Sequence, residues 1–363
     1  MLTLSRYLYY IDEVKITFLD NLLKKRNLNE CYFWIDEFYS SGYKKETWYL
    51  LYKIYYDFYA LKNPSLEKNI IKEHNKWKKK ESISFVLGVV KNLWRSSKDY
   101  EIFILRVYYC DRNIDILDSK DDEIINKYDY LKKNEKNLMK AIIQKKNICI
   151  SYFLKKMIDS DNLIPILENI LKKKPNINKN YSHLYHQILF KIIKNFIDKS
   201  HNKKTIYKLA KISETKNIIL NNDDCYKGRL ENVNYVWTTL TQKRLYSISS
   251  DIGCFKLDRY NDNIDIKEKF WYNWEYYAYN SPLWKERFNT YKININNEKE
   301  LIEFTDDDEF EEFYEKFGYE PDEQSKLVQD KSLIKIQNIT LKKWVNNIFE
   351  KKIKKNIRLK IIY

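Results

Sequence analysis

Glycine and proline are scarce, with five of each in 363 residues. Turn-dense all-β, collagen-like and linker-rich chains need far more of both. Glycine-built phosphate loops also have little to be made from. Arginine is scarce too, at ten of the 66 basic residues. Forked contacts to base edges rely on arginine, so little sequence-specific nucleic-acid readout is expected. The five cysteines (Cys31, Cys110, Cys149, Cys225 and Cys254) are odd in number and scattered, with no C-x-x-C knuckle. This usage fits a reducing compartment and no disulfide framework. No run approaches the length of uncharged apolar chain that a membrane span needs. The N-terminal stretch MLTLSRYLYYIDEVKITFLDN carries Arg6, Asp12, Glu13 and Lys15 inside its apolar pattern. It reads as an amphipathic helix and not as a signal peptide. A soluble, intracellular chain is expected.

Apolar residues are plentiful, at 44%, and aromatics reach 16%. A disordered chain lacks the apolar surface to offset its ordering entropy, and this one does not. The formal charge is +15, carried mostly by lysine. Lysine, isoleucine, asparagine and tyrosine share A/T-rich codons, so part of that charge reflects coding. The cations still attract polyanions weakly and without sequence preference.

The periodicity predicts a mainly α fold. An irregular helical-hairpin stack, α-solenoid-like, fills residues 1–215, with a compact all-α domain as the close alternative. A small mixed module with short strands and an aromatic-rich helical hairpin follows over 216–300. An acidic helix and a basic tail end the chain over 301–363. Leu4–Lys24 reads as the first helix. Asn27 and Glu30 have capping-box spacing before the second, and Gly42 suits its end. The third, about Lys45–Lys62, is aromatic nearly all round, which marks a helix enclosed by neighbours. Short links between later helices imply antiparallel pairs, and no fixed repeat length is present. From Ile218 to Asp265, runs such as NYVWTTL and RLYSIS favour strands, with a three-stranded meander as one arrangement. Ser281-Pro282 reads as a cap and first helical position. Residues 301–330 carry a net charge of −10 and residues 331–363 a net +9, the sharpest charge contrast in the chain.

Chemistry is hard to find. The chain has no phosphate-loop, dinucleotide, zincin, nucleophile-elbow or kinase signature. His183 and His186 are three apart and share a helix face, but a third metal ligand is not evident nearby. Asp306, Asp307 and Asp308 point about 100° apart on a helix. They fit a charge-favoured helix start better than a metal site. Asp111, Asp115 and Asp118 fit a solvated face. Pro321-Asp322 with Glu350-Lys351-Lys352 has the letters of a restriction-endonuclease-like site. However, it follows a helix and lies in a lysine-rich run, and Glu13-Val14-Lys15 repeats the same spacing. No catalytic residue, metal or cofactor is expected.

Basic runs and aromatics remain. Lys78, Lys79 and Lys80 end one predicted helix, and Lys172, Lys173 and Lys174 end another. Lys351, Lys352, Lys354, Lys355 and Arg358 fill the last. Cations at helix C-termini are favoured by the dipole alone, and phosphate contact is the functional alternative. Aromatics at helical spacing usually pack the core. The run FWYNWEYYAYNSPLW is the densest, and Trp271, Trp274, Tyr277 and Trp284 are candidates for a protein-interface patch.

Several phrases carry a resemblance: SRYLYYIDEV (5–14), YFWIDEFYSSGY (32–43), YKIYYDFYALKNPSLE (52–67), GRLENVNYVWTTL (228–240), FWYNWEYYAYNSPLWKERF (270–288) and YEPDEQS (319–325). Together they resemble an uncharacterised family of nucleocytoplasmic large DNA viruses, over most of the chain. The resemblance implies infected-cell cytoplasm or virion as the setting, and carries over no catalytic residue. The expected role is therefore a non-catalytic interaction or scaffold protein in virion or viral-factory assembly, with a viral protein partner and weak nucleic-acid contact. The alternative is a nucleic-acid-binding factor in transcription, replication or packaging, and a diverged metal-dependent nuclease is a weaker one. Convergence of the lysine runs on one groove would put the nucleic-acid reading first.

Overall fold

The computed structural model describes residues 3–25, 28–110, 122–196, 247–248, 272–317 and 338–339. Among these the chain is mainly helical. The helices of the first half are α1 (Ile11–Lys24), α2 (Leu28–Ser40), α3 (Lys44–Phe58), α4 (Leu66–Lys79), α5 (Ile83–Arg95) and α6 (Glu101–Ile104). A π-helical turn, Leu105–Tyr109, continues α6. Then come α7 (Asp122–Asn126), α8 (Lys133–Ile143), α9 (Asn147–Met157), α10 (Leu163–Leu171) and α11 (Leu184–Phe196). The later elements are β1 (Ser247–Ile248), α12 (Trp274–Ala278), α13 (Pro282–Phe288), β2 (Ile293–Asn296), β3 (Leu301–Phe304), α14 (Asp307–Phe317) and β4 (Asn338–Ile339). No helix of the described residues is long and apolar enough to cross a membrane.

The chain divides into two compact units that do not follow sequence order. One joins Met1–Thr47 to Thr215–Tyr363, and the other is Trp48–Glu214. The blocks read from sequence are contiguous, whereas the first unit is built from both ends of the chain.

In the first unit, residues 4–10 are not helical, contrary to the predicted start at Leu4. They form a tight loop closed by a Leu4–Tyr10 bridge, with Leu8 left-handed at φ 59°. The cause is a buried polar anchor. Glu37 of α2 accepts hydrogen bonds from Ser5 Oγ (2.6 Å), Tyr7 N (2.7 Å) and Arg6 Nε (3.2 Å). Arg6 also reaches Asp36 at 3.1 Å. These contacts outweigh the helical pattern of the loop's side chains. Trp284 Nε1 donates to Ser5 O at 2.9 Å, which ties the loop to α13. Gly42 follows α2 at φ 97°, and a Cβ there would lie 2.6 Å from the Pro282 side chain. Glycine thus serves both the left-handed turn and the close approach.

Ser281 caps α13, accepting from Trp284 N, with Pro282 at its start. β2 and β3 form an antiparallel hairpin with Ile293 opposite Phe304 and Ile295 opposite Ile302. The sequence reading missed this hairpin. Its turn lacks glycine and instead places Glu300 in the left-handed region at φ 56°. Asp306 Oδ1 accepts from Asp308 N (2.9 Å) and Glu309 N (3.4 Å), so the aspartate run starts α14 as a cap. The meander expected between 218 and 265 lies outside the described residues except at β1, which pairs parallel with β4. The predicted helix Thr205–Lys211 and the Asn27 cap also lie outside them.

In the second unit, α4 with α5 and α8 with α9 pack as helical hairpins across three-residue links. Ser82 caps α5 by accepting from Ser84 N. From Leu50 to Ala60, every residue of α3 and the turn after it is buried. Trp48 stacks on His74, Tyr56 on Tyr181, and Phe58 lies against Phe103.

Candidate functional site

The interior of the second unit is organised around Asp57 on α3. Arg106, in the π-helical turn, grips both carboxylate oxygens at 3.0 and 2.9 Å. Burial alone would raise the Asp57 carboxyl; the Arg106 guanidinium outweighs it and holds the group below the usual range. His186 Nε2 lies 4.0 Å from Asp57 Oδ1, outside hydrogen-bond range, and Nδ1 faces the Tyr181 hydroxyl at 3.3 Å. Burial pushes His186 down to about 3, so it is neutral at pH 7. His74, also buried, is pushed down to about 4. The His183 and His186 rings meet edge to face at 5.5 Å. Among the described residues no group of three histidines, cysteines or carboxylates is placed to hold a metal ion. Arg106 and the buried ring edges occupy this cluster, and its visible work is to join α3, the π-helical turn and α11.

That framework carries a second layer. Gln187 of α11, fully buried, takes Asn178 N at 2.6 Å and donates to Tyr181 O at 2.7 Å. It thereby fixes the segment between α10 and α11. Asn180 in that segment accepts from Lys78 Nζ (2.7 Å) and donates to Asn75 (3.1 Å) on α4. Glu67 on α4 receives Lys191 of α11 at 2.7 Å and the Tyr56 hydroxyl at 2.7 Å. As a result α4, the 172–182 segment and α11 display one continuous face.

Lysine dominates this face. Lys78, Lys79, Lys80, Lys172, Lys173 and Lys174 are all exposed. Lys68, Lys72 and Lys79 are also exposed, and with Asn75 they form a stripe along α4 at helical spacing. Lys68, Lys72, Lys79, Lys80, Lys172 and Lys173 have no acidic partner among the described residues, whereas Lys174 meets Glu168 at 3.6 Å. Burial, then the positive charge of Lys191 opposed by Glu67, then Lys173 and Lys68, set the Lys194 ammonium below its ordinary value. Two of the three predicted basic runs therefore share a surface. The third (Lys351, Lys352, Lys354, Lys355 and Arg358) lies outside the described residues, as do Asp322 and Glu350. Lys78 and Lys79 end α4, and Lys172 caps α10, so the helix dipole accounts for their local positions. It does not account for their gathering on one face.

The predicted aromatic interface patch is corrected. Trp274, Tyr277 and Trp284 are buried, and Trp271 lies outside the described residues. Trp274 meets Trp284 at 5.3 Å and Phe313 at 6.4 Å, and Phe288 stacks on Phe313 at 4.6 Å. These rings form the core of α12, α13, the hairpin and α14, so they offer no surface to a partner. Sequence reasoning also missed Asp57 and Arg106, which are 49 positions apart with no motif to join them. No family model, no curated protein and no solved structure matches this chain.

Proposed function

We propose that the second unit is a non-catalytic nucleic-acid-binding platform that holds phosphate backbones on its lysine face without reading sequence. The observation that carries this reading is the gathering of exposed lysines from α4 and the 172–182 segment beside the part-buried Lys191 and Lys194 of α11, several of the exposed ones with no acidic partner among the described residues. Like charges held together are costly, and a polyanion relieves that cost while releasing its counterions. Lysine without arginine suits point-charge contact to phosphate and not forked base recognition. In the viral setting implied by the sequence resemblance, such binding would serve transcription, replication or packaging. Of the features behind the scaffold role, the aromatic patch is buried at Trp274, Tyr277 and Trp284 and gives it no support.

The test is charge reversal at Lys68, Lys79 and Lys173 (each to Glu), read by binding to a labelled duplex across salt concentrations. The wild type should weaken steeply as salt rises. The triple variant should bind at least about tenfold more weakly, with a shallower salt slope. Wild-type binding that is absent at low salt, or is unchanged by the reversal, would overturn the proposal.

A further inference from the structure

We infer that the second unit prefers single-stranded nucleic acid, and that Tyr130 is the platform on which an unpaired base stacks. This rests on the lysine-face reading above and names its substrate class. Tyr130 is 74% exposed, the highest value among the large hydrophobic side chains of the described residues. An exposed tyrosine ring offers an apolar face with a polar tip, which suits stacking against a ligand. The chain presents it in an anchored turn. Leu131 N donates to Tyr128 O at 3.0 Å and the Leu131 side chain is buried, which fixes the turn while Tyr130 stays outside. Tyr128 meets Tyr130 in a T-shaped pair at 6.2 Å, and Tyr130 keeps most of its surface open to a ligand.

Exposed Lys127, Lys132 and Lys133 flank the turn, and Asp129 within it is exposed and meets Lys136 at 3.7 Å. The Tyr128 hydroxyl accepts from Asn169 Nδ2 at 3.0 Å, and Asn169 lies one helical turn before Lys172. The ring thus sits beside the end of the basic track that runs through Lys172 and Lys173 to α4. A cationic track plus an exposed ring suits single strands, because every base has a face to stack and only an unpaired base can present it. Duplex keeps its bases stacked and meets only the lysines.

The experiment compares wild type, Tyr130→Ala and Tyr130→Phe against three probes: a thymidine oligonucleotide of about 20 residues, a duplex of equal length, and heparin, which has charge but no bases. Tyr130 is exposed, so both variants should fold, and circular dichroism checks that they do. Tyr130→Ala should weaken thymidine binding about tenfold and leave duplex and heparin within about twofold, while Tyr130→Phe should retain wild-type binding. If the wild type binds all three probes and Tyr130→Ala binds thymidine as tightly as it does, the stacking inference fails and the lysine-face reading stands. If the wild type binds none of the three at low salt, both fail.

Discussion

The two units share a device and differ in what they build on it. Each buries an arginine against carboxylate: Arg6 with Glu37 and Asp36 in the first, Arg106 with Asp57 in the second. In the first unit the pair holds a loop against a helix, and the surface nearby in sequence to its hairpin is acidic, with Asp306 exposed at the cap of α14 and Asp307, Asp308, Glu311 and Glu312 exposed on it. In the second the pair joins helices, and the surface above them is lysine. The first unit's residues include no histidine, while all four histidines fall within Trp48–Glu214. Buried ion pairs here fix which segments meet, and the sign of the surface, set independently, decides what each unit attracts.

The largest expected effect comes from breaking the shared device. Arg6→Met and Arg106→Met each leave a buried carboxylate without its cation, at a cost of about 3–5 kcal/mol. Denaturant unfolding gives the size, and hydrogen exchange should place the loss in the first unit for Arg6 and in the second for Arg106. A cost below about 1 kcal/mol for either would show that the two pairs are not equivalent.

Acid should separate the units next. His186 and His74 titrate near 3 and 4 in the fold, below the ordinary histidine value, so the unfolded chain takes up protons first as pH falls. Their stabilising neutrality is complete above about pH 6.5 and is lost downward from there, by up to about 1.4 kcal/mol per pH unit for each. Between pH 7 and 5 exchange protection should fall in the second unit and hold in the first. His186→Phe with His74→Phe should flatten that dependence.

Gly42→Ala should cost about 1–3 kcal/mol, confined to the first unit, since the new methyl meets Pro282 in a left-handed turn. Asp306→Ala, which removes the α14 cap, should cost about 1 kcal/mol. A null result at Gly42 would mean that the turn relaxes away from α13.

What was legible in the sequence was local. Ser281-Pro282 and Gly42 mark their helix ends as written, because a cap or a left-handed turn is decided by a few adjacent residues. The all-round aromatic α3 announced its burial in the same way. The loop at 4–10 misled, since its apolar spacing is helical and the contacts that unwind it come from Glu37, about 30 positions away. The β2–β3 hairpin carried only a brief I-N-I-N alternation and a turn with no glycine. The lysine runs were visible, but that two of them share a face depends on Asn180 and Gln187, whose roles no spacing reveals. Tyr130 looked like one of many tyrosines until its exposure set it apart.

Photocrosslinking tests the central claim most directly: a thymidine oligonucleotide carrying a photoreactive base is irradiated with the full chain, and the adducts are mapped by peptide mass spectrometry. The expected result is adducts at Tyr130 and along the peptides of α4 and the 172–182 segment, lost as salt is raised. Adducts gathered instead on α12–α14 of the first unit, or spread evenly over the chain, would contradict it.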